Sequence, residues 1–274
     1  MGRASVRHVV PPGRVDEIAA ELRPAVGGVT LVALGGGRVI DVAKALAASE
    51  PPRRVVAIPT TLSGAEMTAI HRLPAGSPPG LRTTRPAVVV NDPGLSASQP
   101  EPELLASAMN ALGHAAEAPL TPGANPVATM AADRAVELIA GGVSEDVDRD
   151  ALALAALLGG YAIGGAGYGL HHVMSQTLVR EAGLGHGPAN AGMLPHTTAA
   201  LAERFPARAE ALDLVREVAL VAGPRAGAAR LRDLGVPPER IAELAEVAAL
   251  RPELRLTPPP AEASELAAIY RAAW

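Results

Sequence analysis

His171, His172 and His186 fall within one short stretch, residues 169–190, of a chain otherwise rich in Ala, Leu and Val. His172 opens the apolar run Val173, Met174, Thr177, Leu178, which has the spacing of a buried helix. His186 stands between Gly185 and Gly187, where backbone can approach a ligand closely. Upstream, Asn110 and His114 are four residues apart, which on a helix puts both side chains on one face. A single histidine of this kind reads most simply as a core residue bonded to a backbone carbonyl. Several together, flanked by glycine, point to a pocket built from three segments. Imidazoles in such a pocket can carry a proton near neutrality or bind a metal ion.

A second signal lies nearer the N-terminus. The run Val29–Leu34 is continuously apolar, as expected of a strand buried on both faces, and Gly35, Gly36 and Gly37 follow it at once. The helical spacing of Val39–Ala48 comes next, carrying Asp41 and Lys44. A strand that ends in glycines and feeds a helix can cradle phosphate, because backbone amides and the helix N-terminus both face the anion. After the next apolar strand, Val55–Pro59, the loop offers Thr60, Thr61 and Ser63 beside Gly64. In an open α/β sheet such loops line the ligand crevice.

These residues need elements to hold them. Val6–Val10 reads as a weak strand, 15–26 as a helix with Ile18, Leu22 and Val26 on one face, 67–73 as a possible hairpin arm, and Ala87–Val90 as a further strand. After Pro100 the pattern becomes helical, with segments 101–119, 126–142, 147–165, 168–180, 187–204, 207–221, 225–235, 237–249 and 260–273, most of them punctuated by Pro or Gly. The expected fold is an α/β N-terminal part, a truncated Rossmann-like parallel sheet, followed by an all-α C-terminal domain. The boundary falls near residues 94–100, giving units of 1–97 and 98–274.

Composition removes several classes. A net charge of −4 gives no basic footprint for nucleic acid. With no cysteine there is no disulfide, thiolate metal site or Cys nucleophile, and a reducing cytoplasm is the expected setting. The first eight residues lack an apolar core of signal-peptide length, and the closest apolar run, Ala151–Leu158, is too short to span a bilayer.

Taken together, these motifs resemble the iron-containing alcohol dehydrogenase superfamily, with its dehydroquinate synthase-like fold, and within it the maleylacetate reductase branch. Residues 35–44 resemble the family's pyrophosphate motif, 57–68 its loop beside the nicotinamide, and 85–93 the strand before its helical domain. His172 and His186 fall on two of the family's metal-ligand histidines, and Asn110 and His114 on its remaining Asp and His ligands. Leu194-Pro195-His196 and the final Ala272-Ala273-Trp274 fit as well. The resemblance implies an NAD(P)-dependent oxidoreductase that moves hydride between nicotinamide and a carboxylate-bearing substrate. Cofactor contacts would come from Gly35, Gly36, Gly37, Arg38, Asp41, Thr60, Thr61 and Ser63. His172, His171, His186, Asn110 and His114 would carry the chemistry, with His172 the first choice as proton donor. Arg85 and Gln176 are the candidates for substrate contact, with Arg38 or the histidines as further holders of a carboxylate.

The chain departs from the family at four places. Asn110 replaces an aspartate, so a divalent metal (Fe or Zn) on His114, His172 and His186 is possible but not expected: a neutral amide leaves the ion's charge uncompensated. Arg38 replaces a serine, and Gln176 stands where alcohol dehydrogenases often have another histidine. The first βαβ unit of the family, which holds the adenosine half of the cofactor, is largely missing, so a homo-oligomer or a hetero-partner is expected along the N-terminal sheet edge. Three alternatives remain: a biosynthetic dehydrogenase oxidising a β-hydroxy acid with decarboxylation, including a peptide C-terminal Thr; a degenerate subunit needing a partner to complete its cofactor site; and a dehydroquinate synthase-like lyase, against which Asn110 counts.

Overall fold

The structure is a computed structural model that describes residues 6–274. Its N-terminal part runs α1 (Val15–Leu22), β1 (Leu31–Gly35), α2 (Gly37–Ala48), β2 (Val55–Pro59) and β3 (Val88–Val89). The three strands lie side by side in the order β1-β2-β3, all parallel, with Leu31 opposite Val55 and Gly35 opposite Pro59. Ala33, Val55 and Ala57 point to one face and pack on Ile40, Ala43 and Ala47 of α2. The other face is open among the described residues: Val32 is 65% exposed, Leu34 58% and Val88 51%. The apolar run predicts a β1 buried on both sides, but only one side has a helix over it.

The helical part runs α3 (Glu101–Glu117), α4 (Pro126–Gly142), α5 (Arg149–Ala166), α6 (Leu170–Glu181), α7 (His186–Arg204), α8 (Ala209–Ala222), α9 (Arg240–Ala249) and α10 (Ala263–Ala273). Its ends carry the expected chemistry. The side chain of Asn125 accepts from the amide of Ala128 to cap α4, and Asp148 accepts from two amides to cap α5. One core made chiefly of Ala and Leu joins these helices, and α3 is buried along most of its length within it. Most helices match their sequence-based ranges to within three residues. No single described helix is long and apolar enough to cross a membrane, and the α5–α6 pair that passes on length and composition is bent by 99° at its break.

Three expectations fail. Residues 6–10 form no strand; Val6 and Val9 are 77% and 73% exposed and pair with nothing among the described residues. Residues 67–73 form no hairpin arm. The carbonyls of Ala65 and Ile70 instead accept from the buried Lys44 ammonium, at 2.8 and 3.1 Å, so this backbone serves as a ligand shell. Residues 225–235 form a 3-10 turn and further turns, because Gly227 and Gly235 adopt φ of 75° and 87°, which ends a helix on either side. The leader reading of residues 1–8 lies partly outside the described residues.

Candidate active site

The cleft between the two parts has a volume of about 730 Å³. Its N-terminal wall is the start of α2 and the loop after β2. Gly35 has φ of 155°, and a Cβ there would lie 2.7 Å from a Val39 methyl, so the turn from β1 into α2 requires glycine. A Cβ on Gly36 would come within 3.1 Å of the Thr61 side chain, and one on Gly37 within 3.0 Å of Ser63 Oγ. The loop thus closes on the helix start at glycine distance. Gly37, Arg38, Asp41, Thr61 and Ser63 line the cleft, and the Thr61 hydroxyl is buried without a partner. Exposed amides at a helix start, a cradle that any Cβ would fill and an unpartnered hydroxyl fit a phosphate group.

Asp41 does a second job. Its carboxylate takes Lys44 Nζ at 2.8 Å, and the fully buried lysine also binds the loop carbonyls. Burial drives the Asp41 carboxyl up and Lys44 down, while their pairing opposes both shifts. Glu66 lies buried in the same loop with one carboxylate oxygen unpartnered, and burial pushes it up to about 7.

The helical wall is built from α3 and α6. Glu103, Ser107, Asn110 and His114 recur at helical spacing along one face of α3 and line the cleft, as do His172 and Gln176 from α6 and His186 from the first turn of α7. The rings of His114 and His172 stack at 4.8 Å, and the amide of Asn110 reaches the Ser63 carbonyl and His114 Nε2, each at 3.4 Å. Asn110 Oδ1, His114 Nδ1 and His172 Nε2 are buried without a partner.

Glu117 holds His172 in place, a role that sequence reasoning misses. It continues the same α3 face, seven residues beyond Asn110, but by its position reads as an ordinary acid at a helix end. Its buried carboxylate sits at the start of α6 and accepts from the amides of His171 (2.6 Å) and His172 (3.3 Å). With both oxygens accepting, the 2.6 Å bond to His172 Nδ1 has the imidazole as donor. Nε2 of His172 is then the bare acceptor turned toward the cleft. Burial and the neighbouring imidazoles hold His171 and His172 down to about 3, and His114 well below its ordinary value. Burial raises Glu117, whereas the α6 amides favour its anion.

Of the candidate residues, Gly37, Arg38, Asp41, Thr61, Ser63, Asn110, His114, His172, Gln176 and His186 meet in the cleft. Gly35, Gly36 and Thr60 stand behind its wall; the Thr60 amide donates to the Gly35 carbonyl. His171 does not reach the cleft. It is fully buried, donates from Nδ1 to Thr197 Oγ1 at 2.8 Å and meets His172 edge-on. Arg85 is exposed on the segment before β3 and is not among the cleft residues. Among the described residues, no three His, Asp or Glu side chains are grouped so as to hold a metal ion. The candidate donors Asn110, His114, His172 and His186 are all neutral, so nothing in that set offsets a dication's charge.

A parallel sheet with a glycine cradle, set against a helical domain carrying a histidine cluster, defines the class of protein. The Fe-containing alcohol dehydrogenase family, C-terminal, matches residues 104–274. Maleylacetate reductase 2 of Cupriavidus pinatubonensis is 35% identical over 237 residues, 82% of this chain and 63% of that protein. The 1,3-propanediol dehydrogenase of Citrobacter freundii is 33% identical over 69% of this chain and 55% of its own length. The crystal structure of maleylacetate reductase from Agrobacterium tumefaciens superposes with a TM-score of 0.81 at 29% identity, covering 93% of this chain and 77% of that one. The chain belongs to the Fe-containing alcohol dehydrogenase family, and it spans less than two thirds of the length of the first of these relatives.

Proposed function

We propose that this chain is an NAD(P)-dependent oxidoreductase that transfers a hydride between the nicotinamide and a carboxylate-bearing substrate of the maleylacetate type. The observation that carries the reading is that one cleft joins a phosphate-fitting helix start to a histidine whose bare nitrogen is fixed by a buried carboxylate. The nicotinamide, when bound, supplies the hydride. Gly37, Thr61 and Ser63 hold the pyrophosphate, Gly36 behind them lets Thr61 close on the helix start, and Arg38, exposed there, adds a positive charge.

On the helical side, His172 Nε2 takes a proton from solvent and delivers it to the substrate being reduced, returning to its neutral form. Glu117 fixes the tautomer and supports the imidazolium while that proton is held, the role an orienting carboxylate plays for any catalytic histidine. His114, stacked on His172, and Asn110 keep the ring aligned and exclude water. This chemistry asks nothing of a metal, and activity should survive EDTA. The apolar sheet face at Val32, Leu34 and Val88 supports a further element of the proposal, that a second polypeptide covers it in the working assembly. The testing experiment is NADH-dependent reduction of maleylacetate by the purified chain, with and without chelator. No turnover in either condition would overturn the reading.

A further inference from the structure

We infer that Arg180, together with Gln176 and Arg251, forms an anion subsite at the α6 end of the cleft that holds the substrate carboxylate remote from the reacting carbon. This rests on the reductase reading above. His172, Gln176 and Arg180 stand four residues apart in one row along α6. Helical side chains lean toward the N-terminus, so Arg180 folds back over Gln176 toward the imidazole. Its Nη2 lies 3.5 Å from Gln176 Oε1, and Arg251 Nη2 donates to the same oxygen at 3.0 Å. Gln176 itself lines the cleft. One amide oxygen therefore gathers two guanidinium groups at the edge of the site.

The charges there are unbalanced. Arg251 pairs with Glu253 at 3.1 Å, and Glu253 also accepts from the Tyr168 hydroxyl at 3.1 Å, so that carboxylate is already shared. Arg251 Nη1 remains buried with no partner. Arg180 is exposed and makes no ion pair among the described residues; partial burial, Arg251 and Arg72 disfavour its charge, and Tyr168 and the already shared Glu253 offset only part of this. Arg72 in turn has Asp16 at 3.6 Å. Arg180 and Arg251, gathered beside the cleft with one shared carboxylate between them, await an anion.

The geometry assigns that anion to the substrate. Phosphate has its own place at the start of α2, beside Arg38. Arg180 and Arg251 reach the cleft through Gln176, whereas Arg85, the alternative that residue type alone suggests, makes no side-chain hydrogen bond to a cleft residue among the described residues. Arg180 begins roughly 12 Å from His172 along the helix axis, and its long side chain reaches back to Gln176 between them. A dicarboxylate can place its reacting carbon at His172 and one carboxylate toward Arg180; a small neutral alcohol leaves the subsite empty.

The test uses the full chain, with maleylacetate as substrate and maleate as a non-reacting dicarboxylate probe. Arg180→Ala should raise KM for maleylacetate at least tenfold with kcat changed less than about twofold, the signature of lost uniform binding. Maleate affinity by titration calorimetry should fall in parallel, Arg180→Lys should recover part of both, and NADH affinity should not move. Unchanged KM and unchanged maleate affinity in Arg180→Ala, with wild type active, would overturn the subsite and leave the reductase reading standing. A wild type that reduces no maleylacetate yet binds maleate through Arg180 would keep the subsite and sink the reductase reading. A wild type that does not bind maleate would overturn the subsite.

Discussion

At the residue scale, the cleft works by keeping charge out of some groups and concentrating it in others. His114, His171 and His172 are neutral because burial and mutual repulsion disfavour their cations, and that neutrality leaves His172 Nε2 free to take a proton. Glu66 carries the opposite shift, and it yields a pH prediction. Its folded-state value of about 7 lies above the ordinary 4.5. A raised value means that the bound proton stabilises the fold below pH 4.5 and that the contribution is lost as pH rises through 7. Relative to Glu66→Gln, the wild type should therefore lose on the order of 3 kcal/mol of stability between pH 4.5 and about pH 8. Urea midpoints at both ends of that range check this, and a constant difference between the two proteins would contradict it. The residue scale is also where the sequence is most unevenly legible. The i,i+4 spacing marks Asn110 and His114, and histidine type marks His172. Glu117 and Arg180 lie on the same two helix faces, but acids and arginines at helix ends are usually solvated, so nothing local distinguishes them. Residue type also singles out His171, although its ring turns into the core toward Thr197.

At the element scale, α2 is the organising piece. Its N-terminus meets the Thr60–Gly64 loop so closely that a Cβ on Gly36 or Gly37 would crowd Thr61 or Ser63 at 3.1 or 3.0 Å, and its Lys44 pins the following loop through two carbonyls. Gly36→Val should push Thr61 aside and reduce NADH affinity by at least tenfold, with the far-UV CD unchanged. Fluorescence titration of NADH reads this, and an unaltered affinity would remove the cradle from the cofactor site. The elements themselves are largely legible: apolar runs mark β1 and β2, and Pro, Gly and Asn/Asp caps mark most of α3 to α10. Elsewhere tertiary context decides. Residues 225–235 have helix-forming Ala, Arg and Leu, yet two glycines of positive φ turn the chain so that the Leu231 amide donates to the Ala273 carbonyl at 2.9 Å. Residues 6–10 have strand-forming valines and no strand to pair with among those described.

At the scale of the whole molecule, the helical part buries a continuous core, whereas among the described residues the sheet has a helix on one face only. Burying each exposed valine or leucine of the open face would contribute about 1.5–3 kcal/mol, enough to favour association. Multi-angle light scattering of the purified chain at micromolar concentration should show a dimer or larger species, or a complex when a partner is co-expressed. A monomer that is fully active without a partner would contradict this. The central claim joins the two parts: the cradle on α2 and the imidazole on α6 act on one substrate. Transfer of deuterium from C4-deuterated NADH to maleylacetate, followed by mass spectrometry of the product, tests it most directly. The account predicts one deuterium per product molecule with the wild type, at a rate reduced at least a hundredfold in His172→Ala, in line with the usual contribution of a general acid or base. Reduction without deuterium incorporation, or an undiminished rate in His172→Ala, would contradict it.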